Sequence, residues 1–171
     1  MEWTGARYAD QPEVSADTWI AAPPERVWPL VAELERMPAR STELESLTWL
    51  GDGPGAGARF RGHNEHPSLG RWSVEGTVVE CDAPSRFAWE MDGEDAPSAR
   101  WSFDLVPDDG GTRLTQRARM GPGRSGLSRA IDAMPDKEQK IVFVRLREFE
   151  AAITRTLEAI RAEAESSDER A

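Results

Sequence analysis

The run His63-Asn64-Glu65-His66 is the densest set of proton-transferring and metal-ligating side chains in the sequence. It contains both histidines and the single asparagine of the chain. Imidazole and carboxylate groups this close together fit a metal centre or an acid–base pair. On an extended strand, however, His63 and His66 point to opposite faces, whereas the histidines of a helical HExxH pair share one. A metal also needs a third ligand, and no third histidine exists. No metal is expected, and no cofactor. Gly53, Gly55 and Gly57 alternate between two strand-like runs, which is turn chemistry rather than a phosphate cradle. There is no GxSxG nucleophile motif. Cys81 has no histidine near it in sequence and reads as a filler at a strand end.

The elements that would position these groups follow from hydrophobic period. Residues 15–21 read as a first strand, and Pro23 and Pro24 open a helix carrying Val27, Leu30, Val31 and Leu34 on one stripe. A second short helix is expected over residues 35–42, interrupted by Pro38. From residue 44 the period is two. Strands are expected at 45–50, 58–65, 71–81, 86–92, 98–107 and 112–120, separated by Gly-, Pro- and Asp-rich hairpin connections that make the sheet antiparallel. Val142, Leu146, Phe149, Ile153, Leu157 and Ile160 then form one side of a helix over about 136–161. This places an N-terminal extension at residues 1–13, one domain at 14–161 and a disordered polar tail at 162–171.

Alternation assigns the faces of the strands. Phe60, Gly62 and Asn64 oppose Arg59, Arg61, His63 and Glu65, and Trp72, Val74, Gly76 and Val78 oppose Arg71, Ser73, Glu75 and Thr77. Burying the charged set without partners costs several kcal/mol per ion, so the apolar set faces inward. The inner wall is then Phe60, Trp72, Val74, Trp89, Met91, Trp101, Phe103 and Met120, faced by Phe149 and Ile153. These residues make either a filled core or, collectively, an apolar pocket. Asn64 and Gln116 are the polar residues of that wall. Each can orient a ligand carbonyl or hydroxyl, or satisfy nearby backbone or buried water.

Composition removes whole classes of function. The chain has 171 residues with 39% hydrophobic and 30% charged side chains, and its seven Trp and five Phe need a core to hide in. A formal net charge of −10 disfavours nucleic acid as a partner. No apolar run is long enough for a membrane span. A single cysteine and no visible secretory signal fit the cytoplasm. Nothing in the pattern specifies an oligomeric state.

The order strand, two short helices, six strands and one long helix resembles the START-like (SRPBCC) superfamily, in its polyketide cyclase/dehydrase branch. Three passages carry the resemblance: residues 19–28, Trp-Ile-Ala-Ala-Pro-Pro-Glu-Arg-Val-Trp; residues 60–64 followed by Arg71-Trp72; and residues 84–90, Pro-Ser-Arg-Phe-Ala-Trp-Glu. The resemblance implies an α+β helix-grip fold, a curved antiparallel sheet of about seven strands wrapped around the C-terminal helix. It also implies a cavity beneath that helix. Aromatase/cyclases of the superfamily are expected to use a cavity-facing arginine on the strand beginning near Trp72, helped by a tyrosine or asparagine. Here the inward positions after Trp72 are Val74, Gly76 and Val78, and the one tyrosine is Tyr8. Three readings therefore compete. The first is binding of a hydrophobic small molecule (lipid, polyketide or isoprenoid-like). The second is a polyketide cyclase/dehydratase-type enzyme, using Arg61, His63, Glu65 or Glu75 if a bulge turns one inward. The third is a protein-interaction module that docks an acidic partner on the outer arginines Arg113, Arg117, Arg119, Arg124 and Arg129.

Overall fold

Period-two patterning broken by tight turns produces the architecture directly. In the computed structural model, which describes residues 1–166, β1 (Glu13–Ile20) leads to α1 (Pro24–Ala32) and a 3-10 segment (Leu34–Arg40). β2 (Leu44–Trp49), β3 (Arg59–His66), β4 (Gly70–Asp82), β5 (Arg86–Met91), β6 (Ala99–Asp108) and β7 (Gly111–Met120) follow. α2 (Gly126–Ala133) and α3 (Glu138–Ser166) close the order. All strands join one curved antiparallel sheet, β1-β7-β6-β5-β4-β3-β2, which grips α3. No helix among the described residues is long and apolar enough to cross a membrane.

Pro24 starts α1 where a missing N–H costs nothing, and Val27 and Val31 drive its inner face into the core. The second expected helix forms instead as the 3-10 segment containing Pro38, whose carbonyl accepts from Ser41 in the tighter i+3 pattern. β3 runs one residue past its expected end, because His66 still pairs with Gly70 across the hairpin.

α3 departs from expectation at its far end. It continues to Ser166 rather than fraying after Arg161, and Ala164 is buried. The extra turn is held by partners distant in sequence. The Glu163 carboxylate takes a two-pronged hydrogen bond from the buried Arg40, at 2.9 and 2.8 Å, and Glu165 accepts from the Ala21 amide at 3.1 Å. The rest of the expected polar tail, 167–171, lies outside the described residues.

A bulge between Val78 and Glu80 resets the alternation of β4. It sends Glu80 to the outer face and places Cys81 opposite Phe87, against the core. Burial, with the neighbouring Asp82 charge, raises the Cys81 pKa, which suits a filler and not a nucleophile.

Candidate functional site

Between the concave face of the sheet and α3 lies a cavity of about 920 Å³. Strand alternation brings Phe60 and Asn64 of β3, Trp72 and Val74 of β4, and Trp89 and Met91 of β5 to its wall. Trp101 of β6, Gln116 and Met120 of β7, and Phe149 and Ile153 of α3 complete the expected set. Phe103 does not belong to it. Its ring is fully buried behind Trp89, 5.9 Å between centroids, so it supports the wall without lining the space. Trp89 stacks on Trp101 at 6.2 Å and 6°, and Trp101 meets Phe149 at 5.0 Å. This aromatic ledge joins sheet to helix.

The two polar residues expected on the wall, Asn64 and Gln116, are both without hydrogen-bond partners among the described residues. Gln116 is 1% exposed, and its Oε1 is buried with nothing to accept from. The half-buried Asn64 side chain makes no hydrogen bond among the described residues. Neither amide satisfies backbone. Gly62 leaves room beside Asn64, and Leu44 fills it, since a Cβ there would lie 3.0 Å from Leu44 Cδ1.

Alternation alone leaves the cavity without titratable groups, and here the structure differs. Glu43, His66, Arg145 and Glu148 meet at its wall. Arg145 reaches both Glu43 oxygens at 2.5 and 2.9 Å, contacts Glu148 at 2.6 Å, and lies 4.9 Å from the centre of the Phe149 ring. Burial pulls the Arg145 pKa down, but the hydrogen bonds to Glu43 and Glu148 outweigh it, so the guanidinium is held firmly charged. The Ser68 amide donates to His66 Nδ1 at 3.0 Å, which leaves the proton of the neutral ring on Nε2. That Nε2 donates to Glu148 at 3.3 Å.

Glu43, His66 and Glu148 have ligand atoms within 4.8 Å of one another, the spacing of a small metal site. The donor set does not fit one. Arg145 already spans the two carboxylates as their cation, and His66 Nε2 carries the proton where a metal would need a lone pair.

The signal for His66 lay two residues beyond Asn64, on the same face, one step past the expected strand end. Arg145 and Glu148 flank Leu146 and Phe149 on the rim of the apolar stripe of α3. Glu43 precedes β2, and no period predicts it.

The residues that a shifted register would have turned inward stay outside. Arg61 pairs with Glu75 at 2.5 Å, Glu65 with Arg71 at 3.2 Å, and His63 Nδ1 lies 2.6 Å from the Ser73 hydroxyl. The hydrogen bonds from Arg61 and Arg59 hold Glu75 below the usual carboxylate range. Of the outer arginines, Arg113 is matched by Asp17 and Asp108, Arg117 by Glu13 and Asp104, Arg124 by Asp132 and Arg129 by Glu94. Arg119 pairs with no carboxylate among the described residues, and its Nε is buried without a hydrogen-bond partner. Four of the five are thus neutralised, and they make no continuous basic stripe.

Among solved structures, the polyketide-cyclase-like protein Cgl2372 of Corynebacterium glutamicum is 26% identical, with a TM-score of 0.64 over 92% of this chain and 94% of that one. The ZhuI aromatase/cyclase of Streptomyces sp. R1128 is 17% identical, with a TM-score of 0.65 over 91% and 94%. One half of the di-domain aromatase/cyclase StfQ of the steffimycin biosynthetic pathway is 14% identical, with a TM-score of 0.71 over 91% of this chain and 51% of that one. The last two likenesses are of fold. No curated protein matches the chain. The cavity, the grip of sheet on helix and a match across residues 11–165 agree: the chain belongs to the polyketide cyclase / dehydrase and lipid transport family.

Proposed function

We propose that the protein binds a hydrophobic small molecule of the lipid, polyketide or isoprenoid kind, with a polar group of the ligand on Gln116. The observation that carries this reading is the buried amide without a partner on the wall of a 920 Å³ aromatic cavity. An unsatisfied buried amide costs about 1–3 kcal/mol, and a ligand hydroxyl or carbonyl removes that cost. The amide serves either, because its oxygen and NH2 exchange places by a flip of the group. Asn64 gives a second polar contact, and Trp72, Trp89, Met91, Trp101, Met120, Phe149 and Ile153 supply the apolar surface. The family description, which includes lipid transport, supports the reading.

The test is a titration with the neutral probe N-phenyl-1-naphthylamine, read by Trp emission. Saturable binding on the order of micromolar is expected. Trp101→Phe should retain binding with reduced quenching, and Trp101→Ala should weaken it. No saturable change in the wild-type protein overturns the reading.

A second reading is favoured by His66 and Glu148. This hydrogen-bonded pair gives the cavity the proton-transferring groups that a cyclase or dehydratase needs. With a poly-β-ketone mimic, His66→Gln and Glu148→Gln should abolish formation of an aromatic chromophore while leaving probe binding intact. An unreactive wild-type protein removes this reading and leaves the first standing.

A further inference from the structure

The family match begins at residue 11, yet residues ahead of it reach the cavity. Tyr8 sits in a 3-10 turn, Tyr8–Asp10, and its half-buried ring packs on the core and lines the cavity beside Ser98, Ser125 and Leu127. Its hydroxyl is tied to two separate loops. It donates to the Gly123 carbonyl at 2.7 Å, lies 3.1 Å from the Ser98 carbonyl, and is 3.3 Å from the Ser125 hydroxyl. Ser125 is also the N-cap of α2, accepting from the Leu127 amide at 3.2 Å. One phenol thus joins the β5–β6 loop to the β7–α2 turn.

The backbone of the same residue is tied to the long helix, where its N–H donates to Glu138 at 3.1 Å. Further along the arm, the Gly5 carbonyl accepts from Gln139 at 2.8 Å, and Trp3 meets Phe143 edge-on at 5.0 Å. Gly121 lets the ring come close. It has a φ of +72°, where a side chain is strained, and a Cβ there would lie 3.6 Å from the Tyr8 ring. Toward the far end of α3 the cavity wall includes Arg40, tied to Glu163 near the last turn of the helix. Near each end of the long helix the wall thus carries a side chain whose residue is tethered to it.

We propose that Tyr8 determines ligand specificity: its ring is the stop that closes the cavity beside α2 and limits how long a ligand it admits. This inference rests on the binding function proposed above. A rigid ring held through both its hydroxyl and its backbone N–H is a fixed wall, and a rod-shaped ligand cannot push it aside without breaking those bonds.

The experiment compares the compact N-phenyl-1-naphthylamine with the longer rod 1,6-diphenylhexatriene on the wild-type chain and its variants. In Tyr8→Ala the long probe should gain about tenfold in affinity, while the compact probe changes by less than about twofold. Tyr8→Phe keeps the ring but removes its hydroxyl bonds, so the long probe should gain less than in Tyr8→Ala, with faster probe release as the loops loosen. Circular dichroism checks folding. If Tyr8→Ala does not fold, Tyr8→Leu should still gain about threefold for the long probe. Equal long-probe affinity in the wild-type and folded Tyr8→Ala or Tyr8→Leu proteins overturns the stop while leaving the cavity reading intact. Absence of compact-probe binding to the wild-type chain overturns both.

Discussion

On the outer face of β5, Arg86 joins Glu80 and Asp104, and Arg100 joins Glu80 at 2.7 Å and Glu90 at 2.8 Å. On the inner face of the same strand, Trp89 stacks on Trp101, in a wall that also carries an amide with nothing to bind. The two faces share one backbone and differ in what their polar groups lack. Outside, with the buried Nε of Arg119 on β7 the exception among the described residues, carboxylates and guanidiniums around β5 alternate from strand to strand, and water screens these partly exposed pairs. Beneath them lie only small residues, Ala88 and Ser102, paired across β5 and β6 and both buried. Inside, the Gln116 Oε1 is buried and poorly screened, so leaving it unpaired is expensive and a ligand that pairs it is rewarded. Function is to be sought where the molecule leaves polar groups unsatisfied, not where it displays the most charge.

The largest expected effect separates the faces by stability. Phe87 is fully buried on the inner face, and Phe87→Ala should cost about 3–5 kcal/mol in urea unfolding. Arg100→Ala on the outer face should cost less than about 1 kcal/mol, because its pairs are partly solvated. Equal losses would break the comparison.

Gln116→Leu sharpens it. Replacing an unsatisfied amide by an apolar group of similar size should raise stability by about 1–2 kcal/mol while weakening probe binding. A fall in stability would mean that the amide is satisfied in solution, and the binding argument would lose its main support.

Asn64→Leu should leave the melting temperature unchanged and reduce the preference for 2-acetylnaphthalene over 2-ethylnaphthalene by about two- to tenfold. A destabilised protein with unaltered ranking of the two would assign Asn64 a structural role instead.

The smallest effect belongs to the outer lattice and depends on pH. A hydrogen bond from Arg86, with further attraction from Arg100, holds the Glu80 pKa below its ordinary value. A depressed folded-state pKa contributes stability above the unfolded pKa, and that contribution is lost as pH falls through the folded one. The stability difference between wild type and Glu80→Gln should therefore be below about 1 kcal/mol at pH 7 and shrink as the solution is acidified through the carboxylate range. A difference that grows with acid would reverse the sign and refute the assignment.

Much of the fold was legible because its periods are geometric. A strand cannot help sending alternate side chains to opposite faces, so Phe60, Trp72, Trp89, Trp101 and Gln116 could be assigned to the cavity from their spacing. The same logic kept Arg61, His63, Glu65 and Glu75 outside. It reached its limit where an element ends or slips. His66 was lost at a strand end one residue too early, and Phe103 has the right parity but lies too deep behind Trp89. Parity says which face a side chain takes, not how far the next layer stands from it.

The sequence by itself determined the succession of elements, the antiparallel hairpins, the inner and outer faces and the stripe of α3, since each follows from local spacing and turn chemistry; the pairing of β1 with β7, about a hundred residues away, does not. Only the tertiary structure decided what meets across the cavity. Glu43, His66 and the Arg145–Glu148 pair come from three separate places in the chain; only the contact within that pair, three residues apart on α3, follows a local period, and no period carries information about the others. The same holds for Arg40 with Glu163, which carries α3 past its apolar stripe, and for Tyr8, whose hydroxyl finds its partners 90 to 117 residues away. Apolar burial is driven by an average property that a pattern can encode. A hydrogen bond needs two particular atoms within about 3 Å, and only the folded chain brings them there.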